Sequence, residues 1–342
     1  MNVPSSPPPR DLFAGKLERD FYLTAARDLV LDIPGGSAFY AAVGYRVWEN
    51  DRHPGLVSRV GENYPQAWLK TFDEQGLDTR GVKILPQVLD KRVFYVQKEK
   101  GGWTEDHPLS HFTRLAKPLP PVLYNYVSPD NGQVRKRELT TTTLRQKDIP
   151  AGYQTGTGAH LGPVDYLTHH LLPSIFRQLG FNTLTLEPCP EYMNPTFYPD
   201  IPGLITGLTA FLPDEEQLRS LFKGKKADLW EMAEELGSFG CSLIVIKRKD
   251  RSQLLFDHST GKRWEIPAYP VQAVREIGVG PAFCGGFLAG YRRYFDPVQA
   301  VLHGSVSASL VAEGMDPYYA LETIPGLARA RLEALASRVS EV

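Results

Sequence analysis

Cysteine is scarce in this chain: Cys189, Cys241 and Cys284 are the only three, far apart and without C-x-x-C spacing. Neither a disulfide framework nor a zinc site is suggested on that count. An excess of one charge is also missing. Thirty-eight basic residues face 39 acidic ones, for a formal charge of -1 and an isoelectric point near 6.7. Neither nucleic acid nor an anionic membrane surface is therefore an expected partner. No apolar run approaches the roughly 18 residues of a membrane span. The N-terminus has no basic stretch followed by an apolar core, so no signal peptide is expected and a reducing cytoplasm is the expected location.

What is present is a long chain with ample apolar content: 342 residues, 42% of them hydrophobic. That suits one large α/β domain over residues 11–342 behind a proline-rich, disordered or extended leader at 1–10. Asp11 to Leu23 reads as a first strand ending at Gly15 with a charged turn after it. The Gly35-Gly36 pair runs into small and apolar residues at helical spacing. A strand ending in glycine (56–62) and an amphipathic helix (68–75) follow. Val88 to Gln97 alternates charged and apolar residues as a β arm. Residues 98–150 lack periodic apolar content and read as an extended lid or insertion, with Asn131-Gly132 as a hairpin turn signal.

From His160 the pattern becomes regular. A helix over 164–179 ending at Gly180, a strand over 182–188, a strand and acidic helix start over 209–218, a β-branched strand over 241–246 and a helix over 296–314 alternate as crossover units do. Such alternation predicts a parallel sheet. A charged helix over 328–341 closes the chain. His169 and His170 are sequence neighbours, face different sides of a helix and do not combine with His160 as a metal set. His160, at the end of a predicted strand, is a candidate for lining a pocket.

The chain is organised around residues 275–291, where Gly278 and Gly280 form a short turn before an apolar, small-residue helix. Such a turn aims unpaired N–H groups and the positive end of the helix dipole at whatever lies in front, which suits a phosphate or another oxyanion. Pro281 is read as the first helical residue, since it has no N–H to leave unpaired there.

The words Gly278-Val279-Gly280-Pro281-Ala282-Phe283 and Gly286-Phe287 resemble the C-terminal signature of the PfkB/ribokinase family of sugar and nucleoside kinases, D-T-x-G-A-G-D-A-F-x-x-G-F. Gly35, Gly36 and Ala42 resemble its N-terminal glycine motif, and Asp20 stands where the family binds substrate hydroxyls. The resemblance implies a ribokinase-like three-layer α/β/α sandwich with a small β lid, the lid strands lying around 88–150. It further implies a sugar- or nucleoside-like ligand, ATP and Mg2+ as co-substrate and cofactor, and a lid that often serves as a dimer contact.

The departures from the family fall on the chemistry. Pro281 occupies the position of the family's catalytic Asp and can neither take a proton nor donate a backbone hydrogen bond. Arg275 replaces the Asp upstream, and Tyr40 replaces an Asn that faces the sugar. Asp214 and Gln217 alter both ends of the magnesium motif, and Lys249 and Ser252 replace the small residues of the nucleotide turn. Substrate contacts are expected from Asp20, Gly35, Gly36, Tyr40 and His160, and anion or nucleotide contacts from Gly278, Val279, Gly280 and Lys247. Asp214, Glu215 and Glu216 are candidate cation ligands, although carboxylates in a first helical turn are also explained by the helix dipole. Three functions stay open: a pseudokinase that binds but transfers poorly, an active kinase with a displaced base such as Glu276, and a non-enzymatic homodimer acting through the lid.

Overall fold

A computed structural model describes residues 7–99, 102–128, 138–249 and 251–342. The Asn131-Gly132 turn signal and the first six residues of the leader lie outside them. Residues 7–10 run as irregular chain in which Pro9 is buried.

In the N-terminal half the strands are β1 (Asp11–Ala14), β2 (Glu18–Leu23), β3 (Leu29–Gly35), β4 (Gly55–Gly61), β5 (Asp78–Leu85), β6 (Arg92–Gln97) and β7 (Trp103–Glu105). The helices there are α1 (Ser37–Arg46), α2 (Gln66–Glu74) and α3 (Pro108–Arg114). The second half supplies β8 (Gly158–Leu161), α4 (Tyr166–Gln178), β9 (Thr183–Leu186), α5 (Ile201–Ile205), β10 (Ala210–Phe211), α6 (Glu215–Leu221), α7 (Leu229–Ser238) and β11 (Leu243–Ile246). It ends with β12 (Gln253–Asp257), β13 (Arg263–Ile266), α8 (Val279–Tyr294), α9 (Pro297–Glu313), α10 (Leu327–Ala336) and β14 (Ser340–Glu341). None of the described helices is long and apolar enough to cross a membrane.

Ten strands form one sheet in the order β14-β13-β12-β11-β10-β9-β8-β1-β4-β5. The run from β11 to β5 is parallel, and β12 to β14 extend it antiparallel at one edge. Strand alternation splits the core in two. Leu12, Ala14, Leu184, Leu186 and Ile244 face a layer containing α4 to α7, and Phe13, Ala210, Leu243 and Val245 face α1, α8 and α9. The result is the expected three-layer α/β/α sandwich.

The lid is a separate sheet in the order β3-β2-β6-β7. The Val88 to Gln97 arm contributes β6, as expected, but half of the lid comes from upstream. Glu18 to Leu23 is strand β2, not a charged turn: both of its faces are used, Phe21 and Leu23 packing outward and Asp20 and Tyr22 inward, so its sequence lacks the alternation of a half-solvated strand. Helix α3 also lies in a stretch that reads as irregular, with Pro108 in its first turn and the His107 ring accepting from the Leu109 amide. At the C-terminus the closing helix stops at Ala336, and β14 pairs with β13 because Glu341 and Ser340 align with Trp264 and Glu265.

The outer lid face is covered by the chain itself: Phe21, Leu23 and Phe94 pack against Phe112, Leu123 and Tyr126 in a small core of their own. Phe112 is 2% exposed. Phe112→Ala is expected to destabilise this unit by about 3–5 kcal/mol, read as faster hydrogen exchange of the β2 and β6 amides. Exchange unchanged from the native protein would refute the cover's role.

Candidate functional site

Period two along the strands gathers the polar residues of the site on one face. In β8 and β9, Ala159, Leu161, Leu184 and Leu186 pack on the α4–α7 side, so His160 and Thr185 point to the α8 side, where they are register partners. Glu187 and Lys247, just past the ends of β9 and β11, share that parity. These are carboxyl ends of parallel strands, where open α/β sheets place their ligand crevices.

Above them sits the turn. Gly278 has φ +82, a left-handed conformation that glycine adopts without strain, and it caps α8. The helix therefore starts at Val279, and Pro281 is its third residue, not its first. It still falls in the first turn, whose amides have no intrahelical acceptor. The amides of Val279 and Gly280 have no intrahelical acceptor, and Pro281 has no N–H.

Beneath Gly280 lies a buried ion pair. The Lys247 ammonium donates to Glu187 Oε1, and the two side chains are 12% and 7% exposed. A Cβ placed on Gly280 would stand 3.1 Å from Glu187 Oε1 and 3.5 Å from Lys247 Nζ. Lys247 Nζ is also 3.9 Å from Cys284 Sγ. Burial disfavours the lysine charge, but Cys284, Glu187 and Asp214 outweigh it and hold the ammonium above the usual lysine range. His160 is 1% exposed and its Nδ1 lies 2.9 Å from Thr185 Oγ1. Burial, with Lys247 adding to it, pushes this imidazole down to about 3, so it is neutral.

On the lid side, four buried polar groups interlock. Tyr22 Oη donates to Asp20 Oδ2 at 2.8 Å and lies 3.3 Å from Tyr40 Oη. Arg275, 1% exposed, donates from Nη1 to Tyr40 Oη at 2.9 Å, and its guanidinium carbon stands 5.0 Å from the centre of the Tyr40 ring. The Asp20 carboxyl lies against Gly35, where a Cβ would be 2.1 Å away, and the Tyr40 ring lies against Gly278, where a Cβ would be 2.5 Å away. Asp20, Gly35, Tyr40 and the Gly278 turn are thus brought together, with Gly36 capping α1 beside them. Asp20 Oδ1 and the Arg275 atoms Nε and Nη2 find no hydrogen-bond partner among the described residues.

Other candidates are placed elsewhere. Glu276 pairs with Lys249 at 3.4 Å and is 39% exposed, turned toward solvent. Asp214 and Gln217 form a capping box: Asp214 Oδ1 accepts from the Gln217 amide at 2.7 Å and Gln217 Oε1 accepts from the Asp214 amide at 2.9 Å. Glu215 pairs with Arg219, and Glu216 is exposed. These three carboxylates do not converge on a point, so they do not fit a cation, and no step is derived through one. His169 is a satisfied core residue, with its ring nitrogens 2.6 Å from Tyr192 Oη and 2.9 Å from the Gly162 carbonyl oxygen.

Sequence reading missed Glu187, Thr185, Tyr22 and Cys284. The alternation in Thr183-Leu184-Thr185-Leu186-Glu187 carries the signal, since it puts Glu187 on the face of Thr185 and, across the ladder, of His160.

Burial and the nearby Glu18 charge push the Asp20 carboxyl up to about 8 against an ordinary 3.8, with Tyr22 and Arg275 opposing them. The folded state then holds a proton that the unfolded chain has released, so the stability from this group is full below its ordinary value and declines as pH rises through 8. Asp20→Asn is expected to flatten the fall in the urea midpoint between about pH 4 and 8. An unchanged slope would show that Asp20 does not carry it.

The comparisons with known proteins agree with this geometry. Residues 168–324 match the model of the pfkB family carbohydrate kinases. A cytidine kinase of Thermococcus kodakarensis is 25% identical over 269 residues, 76% of this chain and 81% of that protein. A ribokinase II of E. coli, solved in complex with ATP and Mg2+, superposes with a TM-score of 0.67 at 12% identity, over 96% of this chain and 99% of the other. A nucleoside kinase of Burkholderia thailandensis in complex with inosine gives 0.65 at 16% identity, over 96% and 98%. The likeness to these structures is one of fold. Motifs, matched segment and architecture converge: residues 168–324 are similar to the pfkB family carbohydrate kinases, and the chain has the ribokinase-like fold.

Proposed function

We propose that this protein binds a sugar- or nucleoside-class molecule at Asp20 and an oxyanion, such as a nucleotide phosphate, at the Val279 and Gly280 amides, and that it transfers phosphate poorly or not at all. One observation carries this reading. The family's base position is Pro281, and Glu187, the carboxylate beneath the neighbouring Gly280, is engaged by Lys247. A positioned general base contributes about 10² to 10⁴ in rate, and the Glu187 oxygen beneath the turn is occupied by the Lys247 ammonium. The ligand class rests on the cytidine kinase and nucleoside kinase relatives and on the unpartnered Asp20 Oδ1 and Arg275 nitrogens, which a polar ligand would satisfy. A reducing compartment such as the cytoplasm fits three cysteines that are all free and buried.

A second reading, an active kinase with a displaced base, has one observation in its favour. Glu187, not Glu276, is the acid beneath the turn, 3.1 Å from the Cβ position of Gly280. Phosphoryl transfer depends mostly on positioning and charge stabilisation, so a relocated base is chemically adequate. A lid-paired dimeric scaffold gains no support, because the apolar lid face is already covered by Phe112, Leu123 and Tyr126.

A kinase assay with MgATP and a panel of sugars and nucleosides separates the readings. The native protein is expected to show negligible turnover, and Pro281→Asp to gain about 10²-fold or more where the rest of the site is intact. Native turnover that Glu187→Gln abolishes and Glu276→Gln leaves unchanged would overturn the proposal in favour of the second reading.

A further inference from the structure

The sheet face under the turn carries metal-ligand atoms that phosphoryl transfer does not use. His160, Glu187 and Cys284 each bring one ligand atom to within 4.8 Å of the others, and all three are buried. Two of the groups point to a missing partner: His160 Nε2 and Glu187 Oε2 make no hydrogen bond among the described residues, although the residues are 1% and 5% exposed. Leaving a buried acceptor or donor unpaired carries the full cost of its desolvation. The far side of the imidazole is fixed by Thr185 Oγ1 at 2.9 Å from Nδ1. When Nδ1 carries the proton and donates it to that oxygen, Nε2 presents its lone pair to the other two residues. This is how a neighbouring group sets the tautomer of a ligating histidine.

We propose that His160, Glu187 and Cys284 bind a divalent cation of borderline softness, for which zinc is the natural probe, through an imidazole nitrogen, a carboxylate oxygen and a thiolate. The donor set selects the class of ion: nitrogen and sulfur together favour zinc and cobalt over magnesium and calcium, which prefer oxygen alone. Three protein ligands leave a fourth position open, and the Gly280 turn lies close by, its Cβ position 3.1 Å from Glu187 Oε1. The cysteine gives up its thiol proton to solvent on binding. Lys247 holds Glu187 by Oε1, so Oε2 can ligate without breaking the pair. The ammonium and the cation nevertheless repel each other and share the same anions, so the lysine opposes metal binding. The inference does not depend on whether the chain transfers phosphate.

The test is a titration of the chelator-treated, full-length protein with Zn2+ and with Co2+. One ion per chain is expected, with cobalt giving a thiolate-to-metal charge-transfer band and the intense visible bands of a four-coordinate site. Cys284→Ser is expected to remove the charge-transfer band and weaken binding by more than about 100-fold, beyond the 10- to 100-fold expected for Thr185→Val, which removes only the group orienting His160. Lys247→Met is expected to tighten binding by about 5-fold or more, as removal of a nearby like charge does. A purely structural role for Lys247 predicts no such gain. The proposal is overturned by a cobalt spectrum of weak, six-coordinate, oxygen-ligated type, by no stoichiometric uptake, or by affinities that Cys284→Ser and Lys247→Met leave unchanged. If Cys284→Ser does not fold by circular dichroism, the native cobalt spectrum and Lys247→Met decide the matter.

Discussion

The buried pair between Lys247 and Glu187 is the interaction on which the rest of the site depends. A charge withdrawn from water must be matched, and removing one member of a buried pair typically costs about 3–5 kcal/mol because the other is left uncompensated. Here the pair joins the ends of two parallel strands, β9 and β11, directly beneath the first turn of α8. The dipole at that helix end favours negative charge, so the Glu187 carboxylate is well placed there, and Lys247 keeps the local balance close to neutral.

A second assembly closes the site from the lid. Tyr40 from the N-terminal glycine motif packs on Gly278 of the C-terminal one and accepts a hydrogen bond from Arg275, while Tyr22 links both to Asp20. The residue that departs from the family at the sugar-facing position and the one that departs upstream of the turn are therefore partners. Each makes sense only with the other: an Asn in place of Tyr40 would leave Arg275 without its closest acceptor, and an Asp in place of Arg275 would face a second carboxyl at Asp20. The two residues form one buried, aromatic and hydrogen-bonded unit.

The sheet and the two glycine turns were legible because each rests on local chemistry: β-branched runs, glycine pairs before small residues, and strands alternating with crossover helices. Strand β2 was not, since Glu18, Arg19 and Asp20 look like a solvated turn until a second sheet is known to bury both faces. The carboxylate beneath the turn was not legible for a related reason. Glu276 is close to the turn in sequence, but the backbone there runs outward to Lys249, whereas Glu187 arrives from 93 residues upstream through strand order, which no local pattern displays. The acidic start of α6 was legible only as ambiguous, and the capping box between Asp214 and Gln217 resolves it as helix initiation. Cys284 was silent because a lone cysteine acquires meaning only from what the fold sets around it.

The central claim is that the Gly278–Gly280 turn remains an anion site although its base is gone. Calorimetry with a non-hydrolysable ATP analogue tests it most directly, on the native protein, on Pro281→Asp and on Gly278→Val, whose side chain would meet the Tyr40 ring at a left-handed φ. The account predicts saturable binding to the first two and none to Gly278→Val at equal folded content. Absence of binding to the native protein, or binding that Gly278→Val leaves unchanged, would contradict it.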